Sequence, residues 1–534
     1  MIPIFGSFAV IVATSAPAAD VCVYGATPAG IVAAVAAKQE GASVVLIEPS
    51  RWVGGILGAG IKPKQDCPQP RAVGGLTRSK VFLAGNDPPS IRNSFNQWLK
   101  EEQIPVIYEH RVRRVEKDRH QIRRIHLEYA PPDELGVPAL AAQPGPGKTV
   151  EAKVFIDASY EGDLMAGAGV PYAIGRESAE TFHEKPAGVG DPTNWCPIDP
   201  YREPGRPESG LLPLVEADHG KPKGAGDDYT QAYNFRFYVT SDPACRAPFT
   251  PPADYDPQQF ELVGRYVEYI LRWAGGDWKK AMPQLSNIFP GWRNSGEYNY
   301  QRQSLVTIAP LGVSRFYQDG DWATRSKVWR QHMDYLRGLH HFLSTDPRVP
   351  KEFREPTAAL GLDTTMHPDT HGWPHQLYIR VARRMQSAYI LTHADVLNQT
   401  RVSDPVKLAL YGVDTYPVRR YAVRHPHSGA LGVATEGNMF LGGARGTGVP
   451  YAVPYRAITP KAEDGCNLLV PVCFSASYIA YASARMEPVF CVLGESAGVA
   501  AAQAARDSQP VQAIDIERLQ QRLRQRGQVL QWPP

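Results

Sequence analysis

Residues 20–48 constrain the fold more than any other part of the chain. They comprise a short apolar strand at 20–24, a glycine-bounded turn at 25–30, an alanine-rich helix, and a second apolar strand at 43–48. A helical crossover that joins two adjacent strands makes those strands parallel. The sequence therefore predicts a βαβ unit of the kind that binds dinucleotides.

The turn has the composition of a diphosphate-binding loop, because glycines let backbone N–H groups approach a diphosphate at a helix N-terminus. Thr27 stands where the usual pattern has its middle glycine, so the turn alone indicates only some dinucleotide. Glu48 ends the second strand, where an acid suits both hydroxyls of an adenosine ribose and disfavours a 2′-phosphate. The turn residues expected to contact the cofactor are Gly25, Thr27, Pro28, Ala29 and Gly30.

A second glycine pair indicates which cofactor is bound. Pro49, Arg51, Gly54 and Gly55 follow Glu48 closely. Glycines at this place let the backbone approach the ribose and diphosphate of FAD, which an NAD domain does not need. An ordinary loop turn is the alternative explanation, but the two motifs together predict FAD.

Two later segments complete the predicted flavin site. Residues 155–163 end a strand in small residues, and we assign Ala158 and Asp163 from this segment to the cofactor. Pro488 suits the first turn of a helix. A helix N-terminus at Glu487 and Pro488 would stabilise negative charge on a reduced flavin ring.

With these motifs the chain resembles a bacterial FAD-dependent oxidoreductase family whose members are sometimes mislabelled xanthan lyases. The residues that carry the resemblance are 23–30, 156–163, 175–177, 233–236, 372–380 and 469–488. The resemblance implies FAD, redox chemistry and a glutathione-reductase-type α/β fold, in which a Rossmann-like FAD-binding domain carries an inserted α+β substrate domain. It implies no particular substrate.

The predicted domain boundaries follow from this organisation. A signal peptide covers 1–19, the first part of the FAD-binding domain 20–175, the inserted domain 176–430, and the return segment with the C-terminal helices 431–534. Helical periodicity within the inserted segment predicts helices at 255–273, 322–343 and 376–397.

Two departures from the family pattern fall near the expected chemistry, because relatives usually carry His at the positions of Tyr478 and Tyr416. Oxidation at a flavin needs a placed substrate, and a base for the hydroxyl or amine proton helps. For each candidate residue below, a structural role in packing, helix capping or ion pairing is an equally simple explanation of its presence. The catalytic candidates are Tyr478, His375, Tyr416, Asp414 and Arg485.

Charge and side-chain spacing argue against two other classes of ligand. The net charge of +3 is too small to indicate nucleic acid, and the basic residues at 111–114 and 123–124 alternate as on a solvated sheet face. The His, Cys, Asp and Glu residues show no metal-ligand spacing, so we predict no metal. Aromatic residues that could stack on sugar rings are Trp292, Tyr298, Tyr300, Trp322 and Trp373.

The first residues favour export. Residues 2–13 are almost wholly apolar, and residues 16–18 have the small-x-small form of a signal peptidase site, although no Lys or Arg precedes them. The alternatives are a buried first strand and a cytoplasmic protein. Residues 20–534 contain no run of 18 uninterrupted apolar residues, so the mature chain is predicted to lack a membrane span.

The predicted function is an FAD-dependent oxidoreductase, an oxidase or a dehydrogenase, that transfers hydride from a sugar, polyol or amine to flavin N5. The electron acceptor is unassigned. One alternative is a non-catalytic flavin-binding or carbohydrate-binding protein, which the two tyrosines motivate. Another is a polysaccharide lyase, which ranks lower because a lyase needs no FAD and the nucleotide-binding motifs would then have no function.

Overall fold

The computed structural model describes residues 14–15, 18–291, 295–442 and 448–533. Most of the predicted signal peptide, and Trp292, lie outside these ranges. The strands are β1 (Thr14–Ser15), β2 (Ala19–Tyr24), β3 (Val44–Glu48), β4 (Val106–Tyr108), β5 (His110–Asp118), β6 (Gln121–Tyr129), β7 (Lys148–Asp157), β8 (Tyr172–Ala173), β9 (Thr193–Cys196), β10 (Phe237–Thr240), β11 (Arg246–Pro248), β12 (Ser295–Tyr298), β13 (Gly361–Asp363), β14 (Arg384–Met385), β15 (Pro405–Ala409), β16 (Val413–Thr415), β17 (Arg419–Arg424), β18 (Leu431–Glu436), β19 (Met439–Leu441), β20 (Tyr451–Pro454) and β21 (Leu468–Leu469). The α-helices are α1 (Pro28–Gln39), α2 (Gly55–Ala59), α3 (Gly75–Ser79), α4 (Pro88–Glu101), α5 (Asp163–Gly167), α6 (Glu261–Trp273), α7 (Trp278–Leu285), α8 (Trp322–Thr345), α9 (Lys351–Ala359), α10 (His393–Val396), α11 (Tyr478–Ala484), α12 (Glu487–Asp507) and α13 (Ile516–Gln525).

The central strand β2 belongs to a parallel sheet built from both ends of the chain. It pairs in parallel with β3 and β7, β4 extends the sheet beyond β3, and β21 pairs in parallel with β7. The four residues from Val21 to Tyr24 are fully buried, as expected for a parallel strand covered on both faces. The predicted βαβ unit and the α/β class with a parallel sheet are confirmed.

The helix α1 begins and ends at residues suited to these positions. Thr27 caps its N-terminus, and Pro28 occupies the first turn, where a backbone N–H has no helical partner. The chain leaves the helix at Gly41, whose φ of +90° suits glycine. The turn and the helix that predict a dinucleotide site are therefore set by local sequence.

The helix α12 packs closely on α1 through small residues. A Cβ at Gly494 would overlap the carbonyl oxygen of Ala29, and a Cβ at Gly498 would overlap that of Ala33. Within the described residues, α12 is the one helix long and apolar enough to cross a membrane, but its whole apolar window is buried inside the protein. Its composition is that of a core helix.

The chain between β7 and β21 builds smaller sheets of its own. β10–β13 form a four-stranded sheet in the order β11-β13-β10-β12, and β17, β18 and β9 form a three-stranded one. The prediction of helices at 255–273 and 322–343 is confirmed by α6 and α8, with α6 starting six residues later.

The predicted helix at 376–397 is wrong, since only the four residues of α10 are α-helical there. Before α10, several backbone N–H groups of this segment bond to distant segments instead of to the preceding helical turn. The N–H of Met385 donates to the carbonyl of Cys473 (2.9 Å), and that of Gln386 donates to Pro171 (2.8 Å). Tertiary hydrogen bonding has overridden the local helical pattern.

Candidate active site

The turn after β2 is closed by Thr27, the residue that breaks the glycine pattern. Its hydroxyl donates to the carbonyl of Ala158 (2.7 Å) and accepts from the N–H of Gly30 (3.2 Å). Gly25 has a φ of +93°, and a Cβ there would lie 2.8 Å from the nitrogen of Ser159. The end of β7 therefore approaches the turn so closely that only glycine fits at position 25.

The remaining turn residues lie inside the first turn of α1. Pro28, Ala29 and Gly30 are buried, and a Cβ at Gly30 would overlap the carbonyl oxygen of Gly25. Ala158 is fully buried below the turn. These residues shape the backbone at the helix N-terminus, where N–H groups and the helix dipole favour an anion.

A cleft of about 620 Å³ of empty space, partly open to solvent, runs beside this turn. The lining residues are Gly25, Thr27, Glu48, Pro49, Ser50, Arg111, Ala130, Pro132, Gly136, Pro138, Ser159, Tyr160, Glu161, Tyr317, Trp322, Trp329, His375 and Gln376. Four of the predicted cofactor residues, Gly25, Thr27, Glu48 and Pro49, are among them.

Glu48 projects from the end of β3 into this cleft. One of its carboxyl oxygens accepts from the N–H of Ala26 and the other from the N–H of Ser50, both at 2.8 Å. Burial raises the pKa of Glu48. Each oxygen keeps lone-pair capacity for a further donor, which is what a ribose hydroxyl supplies. With the glycine-lined turn and the helix N-terminus, these groups fit FAD.

Two predicted cofactor residues are bound to protein groups beside the cleft. Arg51 pairs with Glu109 (2.6 Å) and donates to the carbonyl of Pro132 (2.6 Å). Asp163 pairs with Arg325 and Arg383. Burial alone would raise the pKa of Asp163, but the two guanidinium groups outweigh burial and hold that pKa below its usual value.

The second glycine pair packs against protein. Gly54 donates its N–H to the carbonyl of Ala26 (2.8 Å), and a Cβ at Gly55 would lie 2.7 Å from the Tyr160 hydroxyl. Both glycines have positive φ, +93° and +44°. Neither is among the residues that line the cleft. Gly54 leaves room for the Phe95 ring, which lies 2.8 Å from where a Cβ would be, and Gly55 leaves room for the Tyr160 side chain.

The N-terminal turn of α12 meets the same tyrosine. The Tyr160 hydroxyl donates to Oε1 of Glu487 (2.8 Å). Burial raises the pKa of Glu487 to about 8, and the hydrogen bond from Tyr160 only partly opposes this rise. Pro488 follows inside the first turn of the helix, as predicted. The acid at this helix terminus is therefore largely neutral at physiological pH.

His375, a predicted catalytic residue, lines the cleft. Its ring stacks on Trp52 at 5.2 Å and lies 5.7 Å from His367. Burial, followed by the nearby charges of His367 and Arg92, lowers the pKa of His375 well below its usual value. Its Nε2 has no hydrogen-bond partner in the described part of the chain. The structure thus places a neutral imidazole with an unused nitrogen at the cleft.

Three other predicted catalytic residues meet in a buried polar group that we call the arginine cluster. Arg485 donates to the carbonyl oxygen of Asp414 (2.9 Å) and to its carboxylate (3.3 Å), and also to the hydroxyl of Tyr378 (3.3 Å). Gln231 accepts from Arg485 and from the N–H of Tyr416, both at 3.3 Å. The members of the arginine cluster are Gln231, Tyr300, Arg302, Tyr378, Arg380, Asp414, Tyr416 and Arg485.

Tyr478 contacts a different set of residues. Its N–H donates to Glu177 (2.9 Å), and the guanidinium of Arg384 lies 5.6 Å from its ring centre. The hydroxyl has no partner among the described residues, and burial raises its pKa. The structure therefore does not bring Tyr478 together with His375 or with the arginine cluster through a shared contact.

Sequence reasoning missed several residues that line the cleft. Tyr160 and Glu161 lie inside the motif at 156–163, and their place directly after a strand end was the available signal. Burial raises the pKa of Glu161, to which the Tyr317 hydroxyl donates (3.0 Å). Arg111 was placed on a solvated face, but Trp322 covers its guanidinium at 5.0 Å.

Comparison with solved structures gives partial matches to flavoproteins. A geranylgeranyl bacteriochlorophyll reductase-like protein from Thermoplasma acidophilum is 17% identical, with 29% of this chain and 42% of that chain covered and a TM-score of 0.20. L-proline dehydrogenase from P. horikoshii is 16% identical, with 31% of this chain and 25% of that chain covered and a TM-score of 0.19. 3-Ketosteroid-Δ4-(5α)-dehydrogenase from Rhodococcus jostii RHA1 is 15% identical, with 32% of this chain and 52% of that chain covered and a TM-score of 0.19. The chain thus spans at most 52% of the length of these three structures.

Comparison with curated proteins gave no match. A family model described as "FAD dependent oxidoreductase" matches residues 20–523, nearly the whole chain. This match agrees with the parallel sheet, the capped glycine turn and the acid at the end of β3. The chain belongs to the family of FAD-dependent oxidoreductases, and its cofactor is FAD.

Proposed function

We propose that the protein oxidises a small polar molecule, such as a sugar, polyol or amine, by hydride transfer to flavin N5. FAD supplies the two-electron acceptor when it is bound. The observation that carries the proposal is the position of His375, which lines the same cleft as Gly25 and Thr27 and whose neutral ring has a buried Nε2 without a hydrogen-bond partner among the described residues. A neutral imidazole can accept the proton that a hydroxyl or amine loses on oxidation.

The arginine cluster supplies the groups that would orient the substrate. Arg485 lies two residues before α12 begins, and it donates a hydrogen bond to the carbonyl oxygen of Asp414. Of the aromatic residues predicted to stack on sugar rings, Tyr298, Tyr300 and Trp373 are buried in the core, whereas Trp322 lines the cleft. Recognition in this proposal therefore depends mainly on hydrogen bonds and charge, with Trp322 as the aromatic surface at the cleft.

The proposal includes the finer organisation of the chain. We assign residues 176–430 to an inserted substrate domain on a fold of glutathione-reductase type, with 20–175 and 431–534 forming the FAD-binding domain. The return of the chain to the parallel sheet at β21 supports this division. Export with cleavage after residue 19 remains a prediction, and mass spectrometry of the mature N-terminus tests it: an intact Met1 would exclude cleavage.

Anaerobic reduction of the purified yellow protein by a panel of sugars, polyols and amines tests the function. Loss of the oxidised flavin spectrum identifies a substrate. His375→Asn should slow that reduction roughly 10²- to 10⁴-fold with FAD still bound, while His120→Asn, on the exposed β5–β6 turn, should not. Stable FAD binding without reduction by any compound would instead favour the non-catalytic alternative.

A further inference from the structure

Arg380, in the arginine cluster, is a buried cation that forms no ion pair with a carboxylate of the described residues. Its side chain is 2% exposed. Its Nη1 donates to the carbonyl of Ala232, while Nε and Nη2 have no hydrogen-bond partner among the described residues. An arginine stays protonated, and a buried charge costs stability unless it is paired. The N–H groups on Nε and Nη2 therefore lack the hydrogen-bond acceptors that would offset the cost of burying them.

The aromatic neighbours of Arg380 do not supply that partner. The guanidinium lies 3.8 Å from the ring centre of Tyr416 and 4.3 Å from that of Tyr378. Such contacts stabilise the charge through ring faces, but they leave the edge of the guanidinium plane free. That free edge is the Nε–Nη2 edge, whose two parallel N–H groups match the two oxygens of a carboxylate.

Other unused polar groups in the arginine cluster are also hydrogen-bond donors. Nε of Arg485, Nε2 of Gln231 and the hydroxyl of Tyr300 have no partner in the described part of the chain. Tyr300 lies beside Arg380, at 6.0 Å from ring centre to guanidinium, and Gln231 accepts from Arg485. A set composed of donors and positive charge is complementary to an anion.

Three members of the arginine cluster are partly exposed at the surface. Tyr378 and Tyr416, which flank Arg380, are half-buried, as is Arg302 beside Asp414. Asp414 forms ion pairs with Arg302 and Arg485, and no ion pair is found between Asp414 and Arg380 in the described part of the chain.

We propose that Arg380 forms a subsite for a carboxylate group, with Gln231, Tyr300 and Arg485 as further donors. The proposal rests on the proposed function and narrows its substrate class to polar molecules that carry a carboxylate, such as hydroxy acids, amino acids or sugar acids. The carboxylate binds side-on to Nε and Nη2, and it leaves the rest of the molecule free to be positioned for oxidation.

Acetate and its uncharged isostere acetamide are the probes, added to the holoprotein at constant ionic strength. Acetate should raise the thermal unfolding midpoint saturably, on the order of 2 °C, while acetamide should not. Arg380→Met should weaken the acetate response at least tenfold, and so should Arg380→Lys, which keeps the charge but loses the planar fork. This readout does not require flavin reduction, so it can succeed where the proposed function fails.

Arg176→Met is the matched control, because Arg176 is equally buried but fully paired with Asp227 and Glu436. It should lower the unfolding midpoint and keep the acetate response. Arg380→Met should leave the midpoint without acetate unchanged or raised, since it removes an unpaired buried charge. An equal acetate response in wild type and Arg380→Met, an equal response to acetamide, or no response in wild type would overturn the proposal. If Arg380→Met does not fold, Arg380→Lys decides.

Discussion

The hydroxyl of Tyr160 donates a 2.8 Å hydrogen bond to Oε1 of Glu487, a residue 327 positions away in the chain. The same hydroxyl accepts from the N–H of Ile56 (3.1 Å). One oxygen atom therefore joins the segment after β7, the start of α2 and the first turn of α12. Because Tyr160 also lines the cleft, this junction connects the stability of the fold to the shape of the cofactor site.

Tyr160→Phe should lower the free energy of unfolding by about 1–3 kcal/mol, because it leaves the buried Glu487 carboxyl without its donor. Urea unfolding of the FAD-loaded protein measures the change. Tyr129→Phe is the control, since its hydroxyl donates to Glu109 in a partly exposed pair and should cost about 0.5 kcal/mol or less. Equal losses in the two variants would contradict this role of Tyr160.

Glu487 should make stability fall as the pH rises. Its pKa is about 8 in the folded protein against 4.5 for an ordinary Glu, so the folded state holds the proton more tightly. Its contribution is full below pH 4.5 and is lost as the pH rises through about 8. Glu487→Gln should remove up to about 1.4 kcal/mol per pH unit from this slope. Urea unfolding at pH values across this window measures it, and identical slopes would contradict the assignment.

Thr27→Gly should destabilise the protein although it restores the usual glycine pattern. The substitution removes the helix cap and the hydrogen bond to Ala158, at a cost of about 1 kcal/mol or more. Thr27→Ser keeps the hydroxyl and should stay close to wild type. Thermal unfolding of the three proteins, with FAD content measured by visible absorbance, tests the ranking. A Thr27→Gly protein as stable as wild type would show that the cap is not needed.

Gly30→Ala should prevent formation of the turn, because its Cβ would overlap the carbonyl oxygen of Gly25. The expected loss is about 3 kcal/mol or more, together with loss of bound FAD. Gly41→Ala is the control. Its Cβ would meet no atom within 4 Å, so only the φ of +90° opposes it, at about 1–2 kcal/mol. Folding yield and flavin absorbance distinguish the two variants, and similar yields would exclude the steric explanation.

The parts of the fold that sequence predicted are those decided by near neighbours in the chain. The apolar strands β2 and β3 and the alanine-rich α1 form a complete local unit, so the βαβ prediction succeeded. Residues 376–397 show the opposite case. Their periodicity favours a helix, but the backbone N–H groups of Tyr378, Met385, Gln386 and Leu391 bond to segments 84 or more residues distant, such as the carbonyl of Cys473.

The candidate site was predictable only where a motif is contiguous. Gly25, Thr27, Glu48 and Pro49 were predicted to contact the cofactor because they lie in one short stretch, and all four line the cleft. The arginine cluster combines Gln231, Tyr300, Arg380 and Arg485 from segments far apart in sequence. No spacing rule relates such residues. The burial of Arg111 under Trp322 likewise depends on a helix that begins more than 200 residues later.

The contact of α12 with α1 also bears on how the protein is made. Gly494 and Gly498 cover Ala29 and Ala33, so α1 keeps an open apolar face until the last tenth of the polypeptide has been synthesised. Contacts of such long sequence separation form slowly. In a nascent chain, the FAD-binding domain is therefore incomplete until α12 has been made. We expect a chain that stops before α12 to expose the alanine-rich face of α1 to chaperones and proteases.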